Sequence, residues 1–426
     1  VGVIENTINW ELLNYRSDSI TIDSVHFNTS SFTTSTFFPL TIDSLQTGII
    51  NIEANNSSLG FTQGEMELVS EDLPEGISVS LSVTGTEGNV LTGNLSGTYP
   101  AATYRISGDL TITNSDTVYL QPGTQFLFDG EYDFNIYGTL KAIGTESDSI
   151  IFRNYGDERW RGFTLNNQTQ ETIFEYVNIF GAFKSEDYSR GGGVLLLYSE
   201  PIFRHVLIKN NKAFEGGGMC LDNSNPVLND VKIIQNITST VIIDNVATQL
   251  GGGGGLAIKY SSPIIENVEI SGNTAGNGGG IAMTANSNPT INNLIISHNI
   301  AYGQGGGLWF LAEYMNSSIN NISIIGNSAL AIPECWACSD DGKGGGIFIA
   351  GPDHTNGEDN SYTQIVLENI NIIDNNAISQ GGGIYLRNAV MFGSGLLIDG
   401  NHSVEGGGIY SMNQDSVEFN NVILSQ

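Results

Sequence analysis

The chain has 426 residues, enough for two domains with ample core, and only 14 % of them are charged while 53 are glycine. Its 45 acidic and 15 basic residues leave a formal net charge of −30, which argues against nucleic acid and anionic membrane surfaces as partners by Coulomb repulsion. Three cysteines are too few for a disulfide framework, and no stretch is long and apolar enough to span a membrane.

Residues 1–95 contain short Thr/Ser/Val/Ile runs, such as Ser19-Ile20-Thr21-Ile22 and Ile77 to Val83, separated by polar turns. Strands at this spacing predict a small β-sandwich. From residue 96 the pattern changes. Arg105 to Ile112, Leu120 to Phe128, Tyr137 to Gly144, Trp160 to Phe163 and Phe174 to Ile179 read as irregular forerunners of the repeat that follows. Trp160 is expected to pack rather than to do chemistry.

The triplet Gly-Gly-Gly then recurs, opening at Gly191, Gly216, Gly253, Gly278, Gly305, Gly344, Gly381 and Gly406, with spacings of 25, 37, 25, 27, 39, 37 and 25 residues. The unit is therefore about 25 residues long, and the longer spacings carry insertions of about a dozen. An alternating apolar pair follows each triplet, as in Ile281/Met283, Leu308/Phe310, Ile347/Ile349 and Ile384/Leu386. Asn precedes it, as at Asn211, Asn273, Asn299, Asn376 and Asn401. A second Asn lies six residues earlier in the pairs Asn267/Asn273, Asn293/Asn299, Asn321/Asn327 and Asn369/Asn375. Alternation means strands with one buried face. Three short strands cannot bury that face alone, so copies must stack around one continuous core, with Gly and Asn at corners that need positive φ and Asn able to form a ladder. A parallel β-helix satisfies these requirements.

The unit Pro-x-Ile-x-Asn-x-x-Ile-x-x-Asn-x-Ala-x-x-Gly-Gly-Gly-Ile, best seen from Ser261 to Ala275 and Gly278 to Ile281, resembles the right-handed parallel β-helix repeats of bacterial surface proteins and of polymorphic outer-membrane proteins. The run from Phe38-Pro39-Leu40-Thr41-Ile42 to Leu81 through Thr86 resembles the immunoglobulin-like modules found beside such helices. The resemblance implies an all-β chain with an immunoglobulin-like β-sandwich over 1–95 and a right-handed parallel β-helix over 96–426. It also implies an extracellular or cell-surface location in a bacterium. Val1 is not a start methionine and no signal peptide is evident, so the chain reads as a mature or excised piece. Val422 to Gln426 is strand-like and lacks a polar cap, so further domains of a larger chain are expected.

Specificity is expected in the insertions. Those at Ile237 to Leu250 and Ser328 to Lys343 both fall between the corner Asn and the triplet. They are expected on one corner two coils apart, where they could wall a groove. The insertion from Gly351 to Thr363 leaves at another corner and carries Asp353, His354, Glu358 and Asp359. Pectate-lyase-like and alginate-lyase-like β-helices use Ca2+ and an Arg or Lys base on acidic polysaccharides. Asp340, Asp341 and Lys343 supply those residue types as catalytic candidates, and Asp340, Asp341, Asp353, Glu358 and Asp359 are the Ca2+ candidates, although adjacent Asp in a loop is commonly just solvated. Lys259 and Arg387 are the main other cations nearby, too few for a polyanionic substrate. An inverting glycosidase needs two or three carboxylates on one face, and Asp340-Asp341 is the one fragment of its pattern present.

Cys335-Trp336-Ala337-Cys338 sits in an insertion, where a local Cys335–Cys338 disulfide is the expectation, and zinc would need two more ligands. The triplets precede strands, so they are not phosphate loops. His205, His298 and His402 lie at or beside corners and are expected to replace Asn in the ladder. Alternation turns Phe310 inward and Phe348, Tyr385 and Tyr410 outward, making that stripe the candidate sugar-binding surface. Aromatic paving of a β surface is its structural alternative. The function expected is a non-catalytic adhesin, stalk or scaffold that needs no cofactor and takes a polysaccharide or surface receptor as partner. The alternative is a polysaccharide lyase or glycoside hydrolase, with Ca2+ as its metal.

Overall fold

The computed structural model describes residues 7–54, 60–73, 76–85, 89–243, 246–284, 286–311, 316–331, 342–351, 363–412 and 416–425, which form strands, turns and bends without a helix. They pack as two compact units, residues 1–90 with 102–105, and residues 91–101 with 106–426.

The first unit consists of small antiparallel sheets. Thr7–Leu13 and Phe32–Thr34 flank Thr47–Ala54, Ile20–Ile22 pairs with Leu40–Ile42, and Gly60–Val69 runs between Ser24–Phe27 and Ile77–Gly85. Alternation along Thr47–Ala54 turns Ile50 and Ile52 inward, where they join Ile22, Phe32, Met66 and Leu68 in one core.

The second unit is a right-handed parallel β-helix. A 27-stranded sheet winds through its coils, and a second sheet of six two-residue strands runs from Lys212–Ala213 to Asn376–Ala377. Each coil repeats one path. A four-residue strand such as Leu256–Lys259 leads through a corner into Ile264–Ser271. Asn273 turns the next corner into Thr274–Ala275, and the Gly278 triplet opens the following coil. Strands stack in parallel register, so that Leu256, Ile281, Leu308, Ile347, Ile384 and Ile409 form one column.

The two Asn of each unit do different work. The first is a bend: Asn267, Asn293, Asn321 and Asn369 are exposed with φ of 51° to 61°. This left-handed residue turns the strand so that Ile265 and Val268, three apart, both face inward. The second forms a ladder of Asn211, Asn236, Asn273, Asn299, Asn327, Asn375 and Asn401, buried except at the partly exposed last rung, in which the Oδ1 of each rung after Asn211 accepts from the preceding rung's Nδ2. Asn375, not Asn376, is the rung; Asn376 belongs to the short strand that follows. His205 and His298 take left-handed corner positions and His402 follows the Asn401 rung, so none of the three enters the buried ladder.

The triplet glycines are required by close approach. A Cβ on Gly279 would lie 2.5 Å from Gly306 O, and one on Gly280 would lie 3.0 Å from Asn299 Nδ2. The entry coils are filled instead by aromatics. Trp160 is fully buried, stacks on Phe128 at 4.3 Å and donates from Nε1 to Phe180 O at 2.8 Å, a packing role as expected.

Candidate functional site

The outer face of the triplet sheet gathers most of the chemistry among the described residues. One column on it runs Leu195, Cys220, Ala257, Ala282, Trp309, Phe348, Tyr385 and Tyr410. The expected aromatic stripe lies here, but Phe348 and Tyr385 are buried and only Tyr410 is partly open. The rings stack on one another, 5.1 Å apart from Phe348 to Tyr385 and 5.5 Å from Tyr385 to Tyr410, nearly parallel in both pairs. Alternation gave their direction correctly but not their cover. The first triplet glycine folds back over the column, so that a Cβ on Gly344 would lie 2.8 Å from Phe348 Cα and one on Gly381 2.9 Å from Tyr385 Cα. Phe348 and Tyr385 are therefore no sugar platform.

Lys343, the described member of the proposed catalytic group, is buried with its ammonium 5.2 Å from the centre of the Tyr385 ring, a cation–π placement. Asp340, Asp341, Asp353, Glu358 and Asp359, and the Cys335/Cys338 pair, lie outside the described residues. The insertions after Ile237–Thr238 and Ser328–Ala329 do share a corner, yet Thr274–Ala275 and Ile300–Ala301 stand between them, which makes them three coils apart rather than two. Among the described residues no three His, Cys, Asp or Glu side chains converge as a metal site.

In the earlier coils the same face carries ion pairs. Arg190 pairs with Asp222, Lys259 with Glu215 at 2.6 Å, and Arg161 with Asp133 at 3.3 Å and with Glu186. Beneath them Lys184 is only 7 % exposed and donates to Arg190 O at 3.1 Å. It stands one place after the Phe183–Lys212 bridge, in the inward column that Ala213, Ala275, Ala301, Ala329 and Ala377 fill elsewhere. Burial lowers its amine from 10.5 to about 8, against the opposing pull of Asp133. Burial, reinforced by Glu215, pushes the Cys220 thiol up to about 12, so it is an inert, buried group on this face. Sequence reading missed this cluster because its members are scattered from Asp133 to Lys259. The signal available was a lysine at an alanine position.

Residues 143–324 match the family model described as right handed beta helix region. No curated protein and no solved structure matches the chain. The register, the ladders and this match together establish the fold of the second unit as a right-handed parallel β-helix built from repeats.

Proposed function

We propose that the chain is a non-catalytic, extracellular module of a bacterial surface protein, in which the β-helix is a rigid scaffold and the N-terminal unit an immunoglobulin-like β-sandwich spacer. The observation that carries this reading is the unbroken Asn ladder from Asn211 to Asn401, whose rungs couple each coil to the next through buried side-chain hydrogen bonds. Such coupling makes a stiff rod, which suits display at a cell surface. The right-handed β-helix family occurs in both polysaccharide-acting enzymes and surface proteins, so the match is compatible with the scaffold reading without selecting it. The net charge of −30 supports solubility and self-repulsion outside the cell.

Two measurements test the reading. The full chain is incubated with acidic and neutral polysaccharides, with and without Ca2+, and unsaturated uronate and reducing ends are followed; no turnover is expected. Intact cells of the source organism are treated with protease and probed for the chain, which is expected to be accessible. Turnover of any polysaccharide, or protection on intact cells, would reject it.

A further inference from the structure

The corner after the triplet strand is built from a short motif that recurs coil by coil: Tyr198-Ser199-Glu200-Pro201, Asn223-Ser224-Asn225-Pro226, Tyr260-Ser261-Ser262-Pro263 and Asn286-Ser287-Asn288-Pro289. Its serines form a buried ladder of their own. Ser199 N donates to Ser224 Oγ at 3.0 Å, and Ser224 N to Ser261 Oγ at 2.9 Å. The prolines behind them are buried, so this corner is fixed in place.

The residue before each serine is left-handed, and so is Asn167, which holds the same place one coil earlier ahead of Gln168. Asn167, Tyr198, Asn223, Tyr260 and Asn286 have φ between 46° and 56° and alternate between Asn and Tyr. Asn tolerates that conformation, whereas for a bulky side chain it is an outlier costing of order 1–3 kcal/mol. Tyr176, another left-handed tyrosine, is explained by its 4.4 Å stack on His205. Tyr198 and Tyr260 have no such explanation. They are 63 % and 54 % exposed, and among the described residues neither ring stacks on another aromatic.

We propose that Tyr198 and Tyr260 form a two-ring stacking platform for an extended, uncharged polysaccharide laid along the helix axis. Their separation of two coils is roughly 10 Å. A pyranose residue in an extended chain advances by about one coil, so alternate sugars meet the two rings. Asn223 stands between them and offers an amide to the intervening hydroxyls; its Nδ2 reaches Asp222 Oδ1 at 2.7 Å. The charges on the adjoining strand are matched, Asp222 by Arg190 and Lys259 by Glu215, while the exposed Glu200 beside Tyr198 leaves the platform weakly acidic, which disfavours polyanions. The surrounding acidity repels polyanions. The rigid corner presents both rings without a backbone ordering cost on binding.

The test is affinity electrophoresis of the full chain through gels containing hydroxyethylcellulose, glucomannan or xylan, together with pull-down on cellulose and chitin, and polygalacturonate as the charged control. The wild type is expected to be retarded by at least one neutral polymer and not by polygalacturonate. Tyr198→Asn and Tyr260→Asn install the residue the column uses elsewhere. Each should weaken binding on the order of tenfold, as loss of a stacked aromatic anchor does, without lowering the melting temperature. The Tyr198→Phe/Tyr260→Phe pair should bind as the wild type does. Absence of binding to every neutral polymer, undiminished binding by the Asn pair, or a drop in its melting temperature would overturn the proposal. The first of these outcomes leaves the scaffold reading intact, because that reading is decided by turnover and surface exposure.

Discussion

Replacing Asn299 by Ala tests the ladder at its centre. Asn299 Oδ1 accepts from Asn273 N at 2.9 Å and from Asn273 Nδ2 at 3.0 Å, while its Nδ2 donates to Ile270 O and to Asn327 Oδ1, both at 2.9 Å. The substitution removes four hydrogen bonds in a fully buried column. Asn273 Nδ2 retains Ile233 O, and Asn327 Oδ1 retains the Asn299 backbone N–H. The Asn273 backbone N–H is left without the acceptor it has in the ladder. One orphaned donor costs about 1–3 kcal/mol and each of the three other lost bonds about 1 kcal/mol net, which puts the total at about 4–6 kcal/mol. Asn401→Ala supplies the comparison. That rung makes three such bonds and is partly exposed, so water replaces much of what is lost and about 1–2 kcal/mol is expected. Because solenoids lose structure locally, the readout is hydrogen exchange of the coil amides by mass spectrometry, alongside urea unfolding. Faster exchange should centre on the coils of Asn273, Asn299 and Asn327. If Asn299→Ala and Asn401→Ala cost the same within about 1 kcal/mol, the ladder is not a buried, coupled element and the argument for stiffness fails.

Lys184→Met should stabilise the protein near neutral pH. The drop of its amine from 10.5 to about 8 corresponds to roughly 3 kcal/mol of destabilisation, present in full below pH 8. The unfolded chain holds that proton up to about 10.5, so wild-type stability should rise between pH 8 and 10.5 while the Met variant lacks this rise, as measured by denaturant midpoints across pH. Phe348→Ala should cost about 3–5 kcal/mol in urea unfolding, the value for a buried aromatic; a loss below about 1 kcal/mol would return the stripe to the surface. Gly278→Ala should disrupt its coil, because φ is 62° and the added Cβ meets Ile281 O, whereas Gly272→Asn, at φ 63° with nothing closer than 3.6 Å, should express and melt like the wild type.

The β-helix was legible because its signals are imposed by the backbone. Glycine recurs where a Cβ would strike the next coil, and Asn recurs where φ is positive or where a buried amide must bond upward and downward, so both leave a fixed spacing in sequence. The sequence could not separate the two Asn roles, since Asn267 and Asn273 are the same residue six apart, one bending the strand and the other forming a rung. It also could not show that an outward residue is covered. Phe348 and Tyr385 point away from the core yet lie under the triplet turn, a contact made by residues close in sequence through a left-handed glycine. The Tyr198/Tyr260 alternation was present in the Ser-x-Pro motif, but its meaning depended on knowing that this position is left-handed and exposed.

The ladder also bears on how such a chain changes over generations. Every rung offers the same acceptor downward and the same donor upward, so a rung does not distinguish its present neighbour from the next one along. Loss or duplication of one whole repeat by unequal recombination therefore rejoins the column without a compensating change. A gain of half a repeat would set an apolar side chain where a rung must stand, and selection would remove it. Length is thus the property of this molecule most free to drift, while the period is the one most firmly held.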